Sequence, residues 1–519
     1  MSLSRRRLLQ LAAGTTAALA APGSARASTS LASRQIACSN NTQLNKRYKV
    51  LEVFLDGGAA HRSTLWIDNP QTDPFWRKLN GVDWRTDLGH NASWVPGADE
   101  HHDAAYAIAS GVHLGPCAKP LIGTALKSRM RVAVVGHDLA PHPPAAFLMA
   151  TGLPVGRTRG AGLGAAVCRQ AGSTLPGGGT RTVPASVILH SNSTQYANLF
   201  ASTGVHGVGN RPLVLRMGSG LGLNRPPKGG DATWAMYTAQ YDAQLRYGGQ
   251  GSRNRSRHFD AYERAQQTAR VADKILARVG GMSALAVPNT NTLADNATYR
   301  AIRLAGRLLD TRRPGDPIEH VAVMDAGIDE RFYDTHFSVG LQWSSHDARQ
   351  TANVLNVLRA LADVFDPSNG DLSVDDVLVV VHTEFGRVPD PDGIGGHQAV
   401  VAAQQAGQTP STADLSAREQ QGSDHAYTGF PVLMMGGPIR TAGVMGSLDT
   451  TGRHAHTGGR GVGTKQPSDI RAATLLAAGI HPFQDDTLMP SETSVTTTNR
   501  NAASDAIQRD VLGLDPTTC

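Results

Sequence analysis

Past its first 27 positions the chain has no run of 18 unbroken apolar residues, no block of Lys/Arg interleaved with aromatics, no C-x-x-C pair and no internal repeat. The first absence leaves no membrane span in the mature chain, which is expected to be soluble. The second removes the usual signature of nucleic-acid binding. The third argues against a zinc site built on paired cysteines. What is plentiful is loop-forming residues: 56 glycines and 28 prolines in 519 residues.

The N-terminus carries a twin-arginine pattern, Ser4-Arg5-Arg6-Arg7-Leu8-Leu9, then a small-residue apolar stretch from Leu11 to Ala21 and a small-x-small site, Ala25-Arg26-Ala27. This arrangement predicts an export signal over residues 1–27, read by the twin-arginine machinery, and a periplasmic or secreted mature protein. The apolar stretch is too short and too rich in alanine to span a bilayer. Lysine and arginine number 49 against 43 acids, net +6; without residues 1–27, which hold four arginines and no acid, the balance is 45 against 43, net +2. Most of the basicity therefore belongs to the signal. The four cysteines, Cys38, Cys117, Cys168 and Cys519, all survive cleavage, and an even count in an exported chain favours two disulfides. Three pairings are open; the one favoured here clasps the termini through Cys38–Cys519 and joins Cys117 to Cys168.

Periodicity predicts alternating strands and helices. Apolar runs at Val50–Leu55, Arg131–Val135, Ser186–Leu189, Ile318–Met324, Asp375–Val381 and Phe430–Met435 read as buried strands. Helical spacing covers Phe259–Val279, Tyr299–Leu309 and Ala348–Phe365, and a further helix is expected to be capped at Ser468 and to stop at Gly479. The alternation predicts an α/β layered fold. Residues 28–47 read as a leader, 48–519 as one elaborated domain, 59–115 as loops and short helices, and 200–255 as an irregular insertion.

Short polar clusters sit beyond the strand-like runs. They are Asp56-Gly57-Gly58, Asp334-Thr335-His336, Thr383-Glu384-Phe385-Gly386-Arg387 and Ser423-Asp424-His425. In a mostly parallel sheet the strand ends share one edge, so groups distant in sequence meet there. Carboxylates and imidazoles gathered at such an edge are what a divalent metal needs, be it zinc, calcium or magnesium. Each cluster also has a plainer reading: Asp56 as a turn residue, Asp334 and His336 as a turn cap and a surface imidazole, Glu384 and Arg387 as an internal ion pair. Asp424 is read as co-ligand of His425 or as the carboxylate that orients it. His142, in Pro141-His142-Pro143-Pro144 before a small-residue helix from Ala145 to Ala150, follows a strand by the same logic, or is a loop histidine. His454 and His456 are weaker extras in a glycine-rich loop.

In this order the clusters resemble the exported bacterial family called "domain of unknown function 1501", a relative of the alkaline phosphatase and sulfatase superfamily. The resemblance runs from about residue 48 to 482. It is carried by Phe54-Leu55-Asp56-Gly57-Gly58 with His61, His142-Pro143-Pro144-Ala145 leading to Thr151-Gly152, Asp334-Thr335-His336, Thr383 to Arg387, Asp424-His425, and Ser468-Asp469-Ile470-Arg471-Ala472-Ala473-Thr474. It implies an alkaline-phosphatase-like, doubly wound and mostly parallel sheet, with helices on both faces and one or two divalent metals at the strand ends. By that analogy Asp56 and the Thr383/Glu384 pair look like one metal's ligands, and Asp334, His336 and His425 like the other's. One departure matters. The superfamily carries a Ser, Thr or Cys nucleophile where this chain has Pro141-His142-Pro143-Pro144-Ala145, with no hydroxyl or thiol.

The expectation is therefore a metal-dependent hydrolase of phosphate or sulfate esters, small-molecule or glycan, in which activated water attacks directly. His142 would move a proton and Arg387 would hold the anion. The alternative is a non-catalytic exported binding or scaffold protein with a degenerate site; a purely structural ion is a third reading.

Overall fold

The computed structural model describes residues 46–60, 106–109, 112–153, most of 162–190, 212–217, nearly all of 296–328 with Tyr333 and Asp334, nearly all of 346–387, 425–446, 464–483 and 499–514, and a few isolated positions. All lie in the unit Cys38–Cys519.

The framework is an eight-stranded sheet. In chain order the strands are β1 (Lys49–Leu55), β2 (Tyr106–Ala109), β3 (Val112–Leu114), β4 (Met130–Val135), β5 (Ser186–His190), β6 (Leu213–Arg216), β7 (His320–Asp325), β8 (Val377–Thr383), β9 (Gly386–Arg387), β10 (His425–Ala426), β11 (Phe430–Gly436) and β12 (Gly443–Met445). The sheet order is β12-β4-β11-β8-β1-β7-β5-β6, while β2-β3 and β9-β10 form separate ribbons. β1 pairs in parallel with both β7 and β8, and β5 with both β6 and β7. β11 runs antiparallel to its neighbours β8 and β4, and β12 is parallel to β4. Seven strands therefore share one direction. β11 begins at the edge where the others end.

Helices cover both faces. They are α1 (Lys119–Ile122), α2 (His142–Thr151), α3 (Leu163–Ala171), α4 (Ala297–Leu309), α5 (His346–Val364), α6 (Pro467–Ala477) and α7 (Arg500–Ile507). Side chains alternate along a strand, and the alternation sorts the core. Leu51, Val53 and Leu55 of β1 pack with Val379, Val381, Val321 and Val323 under α4 and α5. Val50 and Phe54 face the other way, towards α2, α3 and α6. This is the doubly wound α/β arrangement.

Glu52 breaks the apolar pattern of β1, and it lies on the second face at 2% exposure. Its Oε1 accepts from Arg471 Nη2 of α6 at 2.7 Å, its Oε2 lies 3.2 Å from His320 Nε2 of β7, and His382 Nε2 of β8 is 2.7 Å from Oε1. Burial alone would raise the Glu52 pKa, but the Arg471 guanidinium and the hydrogen bonds of His320 and His382 more than offset it and hold the carboxyl well below its usual range. Arg471 Nη2 also donates to Met149 O at 2.8 Å. One buried cation thus ties α6 and β1 to the end of α2.

Several expectations need correction. β6 lies inside the stretch 200–255 read as irregular, as the sheet's edge strand. His142 is the first residue of α2 rather than a loop residue before it: prolines are tolerated in the first helical turn, where an amide would have no acceptor. The helix expected to be capped at Ser468 begins at Pro467, with Gln466 as N-cap donating its amide to Asp469 Oδ2 at 2.8 Å. Its end does fall at Gly479, where φ is +76°.

Cys117 and Cys168 form no disulfide; both are buried thiols. Cys117 belongs to the core layer under α4 and α5, whereas Cys168 sits on α3 against the opposite face, so the sheet separates them. Burial pushes the Cys168 thiol up to about 12. Cys38, Cys519 and most of the helix expected over 259–279 lie outside the described residues, as do residues 1–45. No helix among the described residues is long and apolar enough to cross a membrane.

Candidate metal centre

Five segments reach the edge where β1, β7 and β8 end. β1 runs into Asp56-Gly57-Gly58, and the next two strands run into Asp325 and Glu384. β4 leads through His137 to His142 at the start of α2, and β10 brings His425 in just ahead of β11. His425 pairs with Arg387 in the β9–β10 ribbon, which folds the Glu384 segment and the His425 segment over the same spot.

Three side chains converge there. One ligand atom from each of His142, Asp334 and His425 lies within 4.8 Å of the others. His142 Nε2 is 3.1 Å from His425 Nε2 and 3.4 Å from Asp334 Oδ2. Donors around one tetrahedral zinc, at about 2.0–2.1 Å each, stand about 3.3 Å apart, so these spacings match those of a shared cation, and the 3.1 Å contact matches an N–H···N hydrogen bond between the two imidazoles as well.

The tautomer argument points the same way. His142 Nδ1 is 2.8 Å from Glu384 Oε1, a carboxylate oxygen that only accepts, so Nδ1 carries the proton. In the neutral ring Nε2 is then a lone pair, and it faces an Asp334 oxygen that also accepts. Two acceptors at 3.4 Å repel unless a proton or a metal ion lies between them. A histidine on a metal commonly gives its other N–H to a carboxylate, and Glu384 supplies one.

Each member is held from behind. Glu384 is fully buried; its Oε1 also takes the Gly57 amide at 2.8 Å, and Oε2 lies 3.2 Å from Thr383 Oγ1. His137 accepts the Leu139 amide on Nδ1 at 3.1 Å, so its Nε2–H donates to the Glu384 carbonyl at 2.6 Å. Phe385 stacks on His425 with ring centroids 3.7 Å apart and meets His142 at 4.7 Å, setting both imidazole planes. Asp334 Oδ1 accepts from Arg387 Nη2 at 2.7 Å.

Gly57 and Gly58 have φ of +117° and +89°, a region open to glycine. A Cβ on Gly57 would lie 2.4 Å from the Asp334 amide nitrogen. The glycine turn is therefore what lets the Asp334 backbone, in the loop beyond β7, come so near.

The sequence matches the family described as "Protein of unknown function (DUF1501)" over residues 48–484. The chain belongs to that family. All the convergent residues of this DUF1501 protein lie inside the matched span. A search of the curated proteins finds no match. Among solved structures, a protein of the alkaline phosphatase superfamily from Vibrio parahaemolyticus is 9% identical, with a TM-score of 0.34 over 88% of this chain and 72% of that one. A second, "Ps i-CgsB in complex with k-i-k-neocarrahexaose", is 11% identical, with a TM-score of 0.32 over 91% and 78%. Likenesses this slight carry no argument about this chain.

The expected ligands are placed as follows. Asp334 and His425 are in the convergent set, joined by His142, which the sequence reading cast as a proton carrier. Glu384 stands behind His142. Asp56 is buried at the same edge, its amide donating to Asp325 O at 2.8 Å, outside the convergent set. His336, Asp424, His61, His454 and His456 lie outside the described residues. Arg387 is 0% exposed, and its guanidinium reaches Asp334 and the carbonyls of Gly57 and Gly58. Those contacts make it an anchor for the two loops, not a group that meets an anion arriving from solvent.

Sequence reasoning missed Asp325, Tyr333 and Gln350. Asp325 is a strand-end carboxylate at this edge, and the strand-end rule could have found it; no sequence signal marks the other two. Burial raises the Asp325 pKa. Burial and the nearby Asp325 raise the Tyr333 phenol well above its usual value, so Tyr333 is the donor in the 2.6 Å bond to Asp325 Oδ2.

Proposed function

We propose that this protein is an exported, metal-dependent hydrolase of phosphate or sulfate esters, small-molecule or glycan, acting without a covalent enzyme intermediate. The observation that supports this reading best is the convergence of His142, Asp334 and His425 with Glu384 behind the first histidine. Two imidazoles and one carboxylate suit zinc better than calcium or magnesium, which take oxygen ligands. Three protein ligands with a further position open is also the pattern of catalytic rather than structural zinc. When bound, such a cation activates water and offsets negative charge on a tetrahedral ester group.

The chain's own residues would do the rest. Glu384 keeps the His142 proton on Nδ1 and so presents Nε2 as a lone pair. Phe385 fixes the ring planes, and Arg387 aims Asp334. The Asp334 side chain is 45% exposed, so substrate would enter on its side. Both His142 nitrogens are occupied in this scheme, which replaces its expected role in proton transfer with ligation. The absence of a hydroxyl or thiol over residues 141–145 supports direct attack by water. Export to the periplasm or beyond rests on Arg5-Arg6-Arg7 and Ala25-Arg26-Ala27.

One observation favours a non-catalytic binding role instead: Arg387, the guanidinium expected to hold the ester, is withdrawn from solvent. The test is elemental analysis of the purified full chain together with turnover of aryl phosphate and aryl sulfate. The proposal expects about one equivalent of zinc per chain, lost with turnover in His425→Ala. Metal without turnover of any ester leaves the binding role. A metal-free protein, or unchanged turnover in His425→Ala, sinks the hydrolase reading.

A further inference from the structure

We infer that Gln350 is the positioning residue that sets Asp334 for the cation, by clamping together the loops that follow β1 and β7. The inference rests on reading His142, Asp334 and His425 as a metal centre. Gln350 lies in the first part of α5 and is 0% exposed. Its Oε1 accepts the Ala60 amide at 2.9 Å; its Nε2 donates to Gly58 O at 3.2 Å and to Tyr333 O at 2.7 Å. One side chain therefore satisfies three buried backbone groups from two loops. Two of the groups lie in and just after the glycine turn, and the third belongs to the residue just before Asp334.

Buried backbone polar groups must find partners, and here the partner fixes where both loops go. Tyr333 is pinned twice, at its carbonyl by Gln350 and at its hydroxyl by Asp325 Oδ2 at 2.6 Å. Asp325 is in turn fixed by Thr298 Oγ1 at 2.5 Å and the Gly327 amide at 2.9 Å. With Tyr333 held at both ends, little freedom remains in the Asp334 backbone. Arg387 then sets its carboxylate, which leaves Oδ2 3.4 Å from His142 Nε2. A ligand held in place before the cation arrives binds it more tightly, because less ordering is lost on binding. Gln350 does not touch the three ligand atoms. Its effect is exerted through the backbone, at Tyr333 directly and at the glycine turn packed against Asp334.

Gln350→Glu is the informative variant. The carboxylate keeps the size and still accepts from Ala60, but it cannot donate, so it repels the carbonyls of Gly58 and Tyr333. Asn353→Ala is the control. Asn353, one turn along α5 and also buried, accepts the Ile328 amide at 2.9 Å, away from the Asp334 backbone. Zinc affinity would be measured by competition with a chromophoric chelator, melting temperature by calorimetry, and the position of Asp334 by crystallography.

Gln350→Glu is expected to weaken zinc binding roughly tenfold and to move Asp334 away from His142. Asn353→Ala should lower the melting temperature while leaving zinc affinity as in the wild type. Equal loss of affinity in both variants would reduce Gln350 to a general packing residue and overturn the inference. Should the wild type take up no zinc, the metal reading fails by itself. The positioning claim is then still decided by the crystal structure, and an Asp334 that has not moved in Gln350→Glu refutes it.

Discussion

Replacing Glu384 with glutamine isolates what its charge does. The amide has the same shape, and its oxygen can take the place of Oε1, keeping the Gly57 amide at 2.8 Å and the His142 Nδ1–H at 2.8 Å. Its NH2 then falls where Oε2 lies, 3.2 Å from Thr383 Oγ1, a hydroxyl with lone pairs to accept it. No buried group loses its partner, so the melting temperature should move by only a few degrees.

What is lost is the charge-assisted character of the bond to His142. A hydrogen bond to an ionised partner contributes about 1.5–3 kcal/mol against about 0.5–1.5 kcal/mol for a neutral one, so His142 becomes a poorer donor to a cation by about 1 kcal/mol or a little more. Losses from outer carboxylate partners of metal-bound histidines run to about 10–100-fold in affinity, or about 1.4–2.7 kcal/mol. The two estimates overlap near tenfold. Competition titration with zinc at pH 7.5 measures it directly. Glu384→Ala is the contrasting variant: it strands the Gly57 amide and the His142 N–H, and should cost about 1–3 kcal/mol of stability for each. If Glu384→Gln binds zinc as tightly as the wild type, the Glu384 charge does not strengthen His142 as a ligand, and that reasoning is refuted.

Two other perturbations read different parts of the scaffold. Gly57→Ala puts a Cβ 2.4 Å from the Asp334 amide at a φ of +117°; backbone strain alone costs about 1–2 kcal/mol, and the clash should push Asp334 outward, so urea denaturation shows lost stability and zinc affinity falls with it. Glu52 has a depressed pKa in the folded state, so the stability it contributes is complete above its unfolded value of about 4.3 and is lost as pH falls through the folded value. Glu52→Gln should cost about 3–5 kcal/mol at pH 7, because Arg471 is left buried without a counter-charge. Glu52→Gln with Arg471→Met should recover most of that and flatten the acid side of the stability profile; an unchanged profile in the double variant would place the acid sensitivity elsewhere.

The strands were legible because burial on both faces writes a dense apolar run. Val377 to Val381 is unbroken, and β8 is central. Leu213 to Arg216 is short, partly exposed and at the sheet's edge, so it left too little pattern to separate it from its glycine-rich surroundings. His142 was misplaced for a different reason. Three prolines within four residues read as a loop, but a helix has no use for the amides of its first turn, so the same prolines can begin one. That one-turn difference fixes the ring at the head of α2 and aims one nitrogen at Glu384 and the other at Asp334.

The division between ligands and anchors follows from what each interaction requires. A residue that serves the proposed centre must reach the sheet edge, so it follows or precedes an apolar run, and the run gives it away, as with Glu384 behind His142 just after β8 and His425 a few residues ahead of β11. An anchor needs only to meet a backbone group wherever folding brings one. Gln350 meets Ala60 across 290 residues, and Arg471 meets Glu52 across 419. Neither pairing has a local period, and both residues pass as the polar side of a helix until the sheet is assembled. The anchors turn the three proposed ligands into a fixed triangle: with Gln350, Tyr333 and Arg387 removed, Asp334 would be a half-exposed carboxylate on a loop, with nothing to hold it 3.4 Å from His142.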